Sequence, residues 1–160
     1  LEEGPILWEG EGGRVYGQDF AGLNGAKTIA DVVETFLNQA RAGVDYVALN
    51  AYLPRNPRNT AKLQKVRSVL LVRSGCATTL GFGPRFLHST GQLHKGGGNN
   101  GVFIQITADP KVDYEIPEQG ISFGVLERAQ ALGDLEALLS RGRRVIRIHL
   151  TSADLLDLLQ

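Results

Sequence analysis

Residues 78–107 of this 160-residue chain read TTLGFGPRFLHSTGQLHKGGGNNGVFIQIT. The run 76–80 has the apolar composition of a β-strand, and a glycine turn at 81–83 follows it. A short helix is predicted from about Pro84, because proline is well tolerated in the first turn of a helix, and the GGG triplet should end it. The run 102–107 predicts the next strand. The stretch as a whole therefore predicts one βαβ unit of a parallel sheet.

Four polar side chains share one face of this predicted helix. They are Arg85, His88, Gln92 and Lys95. Their spacings of three, four and three residues place them on the same side of an α-helix. His88 can exchange a proton near neutral pH, Arg85 and Lys95 suit an anion, and Gln92 suits a hydroxyl group. Backbone N–H groups of the 81–83 turn would suit a phosphate. A histidine on a helix is more often structural than catalytic, so both interpretations stay open.

The rest of the chain divides into strands and helices that alternate. Before the central stretch, the pattern predicts a hairpin or edge segment within 1–22, a helix from Thr28 to Gly43, a strand at 46–53 and a helix from Asn59 or Thr60 to Gly75. After it, the pattern predicts a long helix capped by Ser122, a strand at 144–150 and a short helix at 152–160. This order predicts an α/β fold with three layers: a doubly wound, mainly parallel sheet with helices on both faces. We expect 23–160 to form a single domain. Ligands of such sheets bind beyond the carboxyl ends of the strands, and the 81–85 turn is predicted to be such an end.

Charge is balanced overall but unevenly distributed. Lysine plus arginine and aspartate plus glutamate number 17 each, so no net charge favours nucleic acid or a membrane surface as a partner. Between Asp45 and Asp109 there is no acidic residue, whereas eight basic ones lie there. A basic central segment suits a small anionic ligand or an acidic partner surface. The basic residues of the helix 59–73 are equally well explained as a face exposed to solvent.

Several other classes of function find no support in the sequence. The single cysteine, Cys76, fits a reducing, cytoplasmic location and a buried structural thiol. His88 and His94 are six residues apart, which separates them around a helix, so no metal site is expected. No apolar run is long enough to span a bilayer. The start of the chain is acidic, rich in glycine and lacks methionine, so we expect a fragment of a larger protein.

The central motif resembles a known family. Residues 85–97, RFLHSTGQLHKGG, preceded by ATTLGFGP and followed by NNGVFIQIT, closely resemble the C-terminal module of bifunctional transaldolase/glucose-6-phosphate isomerases. The segment 121–150, ISFGVLERAQALGDLEALLSRGRRVIRIHL, and the segment 45–57, DYVALNAYLPRNP, are similar to the same module. The resemblance covers about residues 28–150.

The resemblance implies a sugar isomerase (SIS) fold used in pairs, and an aldose–ketose isomerase that converts glucose 6-phosphate to fructose 6-phosphate without a metal or nucleotide cofactor. His88 matches the histidine that helps to open and close the sugar ring. Arg85, Gln92 and Lys95 are candidate substrate-binding neighbours, as are Thr78 and Thr79 in the preceding strand. The implied partners are the sugar phosphate, an N-terminal isomerase domain that completes the site, and a second copy in a homo-oligomer. Transaldolase activity would lie elsewhere in the full-length protein.

Two departures from the family limit what this chain can do alone. The glutamate that moves the proton between C1 and C2 should lie upstream of the histidine, but no acid lies between Asp45 and Asp109. The family's lysine near the C-terminus has no counterpart after Lys111. The phosphate-binding loop belongs to the N-terminal isomerase domain, so we expect the isolated chain to be inactive or nearly so.

Two other functions stay open on the sequence. The missing glutamate and lysine favour a non-catalytic sugar-phosphate-binding or structural domain attached to a transaldolase. The basic helix 59–73 allows an interaction module that docks on an acidic surface through Lys62, Lys65 and Arg67.

Overall fold

The computed structural model describes residues 2–84 and 90–160. Within these ranges the chain forms one mostly parallel sheet with helices on both faces. Its six strands are β1 (Trp8–Gly10), β2 (Gly13–Gly17), β3 (Tyr46–Tyr52), β4 (Ala77–Phe82), β5 (Gly101–Ala108) and β6 (Arg144–Leu150). The helices are α1 (Ile29–Leu37), α2 (Pro57–Ser74), α3 (Thr90–Gly96) and α4 (Phe123–Ser140), with 3-10 helices at Leu23–Gly25 and Ala153–Leu159.

The strand order in the sheet is β1-β2-β6-β5-β3-β4. Strands β6, β5, β3 and β4 run parallel, whereas the hairpin β1–β2 joins β6 in the antiparallel sense. The chain passes from β3 outward to β4, then returns to the other side of β3 to form β5 and continues to β6. The order of strands therefore changes direction between β3 and β5, which is where doubly wound sheets open a crevice for ligands.

Helices cover both faces of the sheet. On one face α1, α2 and the C-terminal 3-10 helix contact one another and pack on the larger apolar core. On the other face lie α3 and α4, over a smaller core that includes Phe103 and Val145. Strands β3 and β5 are buried along nearly their whole length, as continuous apolar strands of a parallel sheet should be. The predicted three-layer α/β architecture is confirmed.

Local signals in the sequence place several helix starts correctly. Thr28 caps α1, and Asp31 completes a capping box with it, although α1 ends at Leu37 and not at the predicted Gly43. The hydroxyl of Ser122 accepts a hydrogen bond from the Val125 N–H at the start of α4. The predicted N-terminal hairpin is present, and it extends the main sheet through β2.

Two further predicted boundaries need correction. Helix α2 begins at Pro57, not at Asn59 or Thr60, because Asn56 caps it and proline occupies its first position. Strand β4 continues through Gly81 and Phe82, where the sequence predicts a turn. These two residues pair with β3, so the turn begins only at Gly83. Part of the predicted helix from Pro84, residues 85–89, lies outside the described residues; Pro84 itself lies in a turn, and the rest of the predicted helix corresponds to α3.

Candidate functional site

A pocket of about 840 Å³ opens at the carboxyl ends of β3, β5 and β6. Its walls come from four segments, 52–59, 107–114, 123–128 and 149–154. These segments include the loop from β3 to α2, the loop that follows β5 and the first turns of α4. The pocket thus lies at the crevice between β3 and β5, where the strand order changes direction.

His149 lies on the wall of this pocket between two polar side chains. Its Nδ1 lies 2.8 Å from the Thr107 hydroxyl, and its Nε2 lies 3.1 Å from Asp109 Oδ1. The parallel register pairs Thr107 with His149, so the two side chains share one face of the sheet. An ionised Asp109 can only accept, so in the neutral imidazole Nε2 carries the proton and Nδ1 accepts the Thr107 O–H. The result is a hydroxyl–imidazole–carboxylate chain that can move a proton.

Glu127 is a further titratable group on the pocket wall. It lies on the second turn of α4, and burial raises the pKa of its carboxyl group. Among the described residues, none donates a hydrogen bond to this carboxylate or forms an ion pair with it. A half-buried, unpaired carboxylate with a raised pKa has the properties of a general base.

The N-termini of two long helices reach the pocket, and each brings the positive end of a helix dipole. At the N-terminus of α4, a carboxylate of the chain itself already occupies the place that a bound anion would take. Asp113 Oδ1 accepts the Gly124 N–H at 2.8 Å, and hydrogen bonds from Ser122 and Gly124 lower the pKa of Asp113. The N-terminus of α2, with Asn56 as its cap, forms the opposite wall.

Two cations lie beside the N-terminus of α2. Arg58 Nη1 is 3.5 Å from one oxygen of Asp154, and Lys111 Nζ is 2.6 Å from the other. The hydrogen bond from Lys111 is the main reason why the pKa of Asp154 is lowered. One carboxylate thus faces two cations, so this group of three side chains carries a net positive charge that suits an anionic group.

The predicted site residues fall into two groups. Arg85 and His88 lie outside the described residues. Thr78 and Thr79 lie within the edge strand β4, and Gln92 is exposed on α3. None of these last three is among the described residues that line the pocket. The predicted anion contact at the glycine turn is also used within the fold, because the Gly83 N–H donates to the Ala51 carbonyl at 2.8 Å.

Lys95, the remaining predicted contact, helps to hold α3 against α4. Its ammonium group pairs with Asp134, whose side chain is almost fully buried. The Tyr52 hydroxyl donates a hydrogen bond to the same carboxylate. Burial is the largest cause that raises the pKa of Tyr52, and the charges of Asp134 and Glu127 add to it. Arg143 Nη2 donates to the Lys95 carbonyl at 3.0 Å, which fixes the end of α3 from a second side.

Sequence reasoning missed the histidine of the pocket. His149 has no acidic neighbour close to it in the sequence, and its partners Thr107 and Asp109 are 42 and 40 residues away. One signal was available: the next-to-last residue of each strand is polar, Thr107 in β5 and His149 in β6, and the carboxyl ends of parallel strands meet at one edge of the sheet.

Metal sites and membrane spans find no support in residues 2–84 and 90–160. In these ranges no three side chains of the histidine, cysteine, aspartate or glutamate type come together in a group that could hold a metal ion. None of the helices in the described part of the chain has both the length and the apolar character required to cross a membrane.

Comparison with known proteins adds information on the fold alone. No family model matches the chain, and no curated protein matches it. The crystal structure of a hypothetical protein from Thermus thermophilus, TT0462, is similar, with a TM-score of 0.62 and 20% sequence identity. The match covers 78% of this chain and 34% of that protein, so the chain spans about a third of its length.

Proposed function

We propose that this chain contributes one half of an aldose–ketose isomerase site, as the C-terminal domain of a bifunctional transaldolase/glucose-6-phosphate isomerase. The reaction interconverts glucose 6-phosphate and fructose 6-phosphate. The observation that supports it best is the pocket at the carboxyl ends of β3, β5 and β6, where His149 is held between Thr107 and Asp109. On this proposal the enzyme needs no metal or nucleotide cofactor and works in the cytoplasm.

Ring opening requires a group that protonates the ring oxygen and a route for the proton of the C1 hydroxyl. His149 suits this task because its two nitrogens already exchange hydrogen bonds with a hydroxyl and a carboxylate. His88 is the residue that the family resemblance proposes for the same step. The two histidines are alternative candidates, and substitution of each separates them.

Transfer of the proton between C1 and C2 requires a base, and we propose Glu127. The stretch between Asp45 and Asp109 contains no acid, so a base from this chain must come from another segment. Glu127 comes from α4, lines the pocket and has a pKa that burial raises toward the working range of a general base. The substrate phosphate would lie against the N-terminus of α2, near Arg58 and Lys111.

An N-terminal isomerase domain would complete the site from the open side of the pocket. Four large apolar side chains on the pocket wall are exposed to solvent: Val112, Tyr114, Phe123 and Val125. Exposed apolar side chains grouped in this way are typical of a surface that a partner covers. This grouping supports a partner domain in preference to nucleic acid, and it is also compatible with a second copy of the chain.

A non-catalytic sugar-phosphate-binding domain is the second candidate. It is favoured by contacts that the polar groups of the pocket already make with one another: Arg58 and Lys111 with Asp154, and His149 with Asp109. A pocket whose polar groups already contact one another can bind a polar ligand by exchanging these contacts, without any chemical step.

The test is the rate of conversion of glucose 6-phosphate to fructose 6-phosphate in the full-length protein. We expect Glu127→Gln to lower kcat about 10²–10⁴-fold with little change in KM, because a general base contributes on this scale. The acid limb of the pH–rate profile should lie above the ordinary glutamate pKa of about 4.3 and disappear in the variant. Glu136→Gln, an exposed carboxylate on the same helix, is the matched control and should behave as wild type.

His149→Ala and His88→Ala assign the ring-opening step in the same assay. Loss of turnover in one variant alone identifies that histidine. Wild-type turnover in Glu127→Gln would exclude the proposed base. Wild-type protein that binds glucose 6-phosphate but never converts it would favour the non-catalytic domain.

A further inference from the structure

A fully buried arginine lies beside the pocket, and the pocket chemistry described above does not use it. Arg147 points from β6 toward the α4 side of the sheet, and none of its side chain is exposed. Its guanidinium lies over the Tyr16 ring at 4.3 Å, and Nη1 donates to the Thr107 hydroxyl at 3.3 Å. A buried charge is stable only when a countercharge and hydrogen bonds compensate it.

The countercharge is Glu3, from the segment before β1. This segment has neither helix nor strand structure at residues 2–6. One oxygen of Glu3 contacts Arg128 and lies 3.4 Å from Arg147 Nη2, and the other accepts the Tyr16 O–H at 3.1 Å. Burial raises the pKa of Glu3, but the charges of Arg147 and Arg128 and the Tyr16 hydrogen bond outweigh it, so the net shift is downward.

One carboxylate does not satisfy this group of donors. Arg147 Nη2 forms an ion pair with Glu3 but no hydrogen bond, and Nε has no hydrogen-bond partner either, although both nitrogens are buried. Two guanidinium groups face a single negative charge. A phosphate group brings up to two charges and three or more acceptor oxygens, and guanidinium groups bind it in a bidentate manner.

The donors adjoin the pocket directly. Arg128 lines it, and so does Thr107, which accepts the hydrogen bond from Arg147. A group bound in place of the Glu3 carboxylate would therefore belong to a ligand that extends into the pocket.

We propose that Arg128, Arg147 and Tyr16 form an oxyanion subsite at the edge of the pocket. The carboxylate of Glu3 fills this subsite from within the chain. When Glu3 withdraws, the subsite takes the phosphate group of a small ligand. This subsite is separate from the α2 N-terminus and does not depend on isomerase chemistry.

Inorganic phosphate is the probe, and the readouts are thermal unfolding and calorimetric titration at constant ionic strength. Glu3→Ala should unfold at a lower temperature than wild type, because it leaves Arg147 without its countercharge. Phosphate should bind this variant at least about ten-fold more tightly than wild type and restore its Tm, since a ligand that binds only the folded state stabilises it. Glu2→Ala, the same change one residue earlier at an exposed glutamate, should respond as wild type.

Further variants keep the test decisive. Glu3→Gln preserves the shape of the side chain and should show the same gain in phosphate affinity, and Arg128→Ala added to Glu3→Ala should abolish it. If Glu3→Ala is unfolded without phosphate, refolding on its addition supports the subsite and failure to refold contradicts it. Equal phosphate responses in wild type, Glu2→Ala and Glu3→Ala would overturn the proposal, as would rescue by acetate but not by phosphate.

Discussion

At the scale of single residues, Asp45 shows how one carboxylate fixes the start of two strands. It lies just before β3 with its side chain fully buried, and both oxygens accept hydrogen bonds from Arg144 at 2.9 Å at the start of β6. The backbone N–H of Arg41 donates a further hydrogen bond to Asp45 Oδ2 at 2.7 Å, and the Arg41 guanidinium donates to both oxygens of the same carboxylate. The hydrogen bonds from Arg144 and then Arg41 hold the pKa of Asp45 well below its usual range, despite burial.

We predict that Asp45→Asn destabilises the protein by about 3 kcal/mol, because it leaves the Arg144 guanidinium without its buried partner. A folded-state pKa below the unfolded value means that this stabilisation is present above about pH 4 and is lost as the pH falls below it. Urea unfolding from pH 7 to pH 3 measures both effects. In the variant the stability should fall less steeply below pH 4 than in wild type. A control, Asp19→Asn at an exposed aspartate, should change neither quantity, and equal stability of the two variants would contradict this account.

At the scale of elements, the start of α2 connects the fold to the pocket. Asn56 accepts the Asn59 N–H at 2.8 Å, and the Asn59 side chain donates to the Pro54 carbonyl at 2.9 Å. These two bonds hold the loop that forms one wall of the pocket. The cap and the proline at the first helical position are visible in the sequence, yet the sequence predicts a later start, because Pro54 and Pro57 together indicate a break.

We predict that Asn56→Ala lowers the free energy of unfolding by about 1 kcal/mol, the usual cost of losing a helix cap. It should also weaken binding of glucose 6-phosphate, because the pocket wall and the first N–H groups of α2 lose their fixed position. Asn99→Ala, an exposed asparagine in the loop before β5, should stay within about 0.5 kcal/mol of wild type. A cap variant as stable as this control would show that the loop is held by other contacts.

At the scale of the whole molecule, the order of strands and helices can be predicted from the sequence, whereas the contacts in the pocket follow only from the structure. The alternation of strands and helices was predictable, because apolar periodicity and capping residues such as Thr28 act over a few neighbouring positions. The chain Thr107–His149–Asp109 was not, because the parallel register of β5 and β6 brings together residues about 40 positions apart. The Glu127 carboxylate was missed for the same reason: its place at the pocket depends on how α4 packs across the sheet.

The central claim is that the pocket at the carboxyl ends of β3, β5 and β6 binds a sugar phosphate. The most direct test is an NMR titration with glucose 6-phosphate that follows the imidazole resonances of His149, His88 and His94. We predict saturable shifts at His149, no shift at His94, which is buried between Tyr46 and Phe103, and loss of the His149 shifts in Arg58→Ala/Lys111→Ala. Saturable binding that leaves His149 unchanged would place the ligand elsewhere and contradict the account.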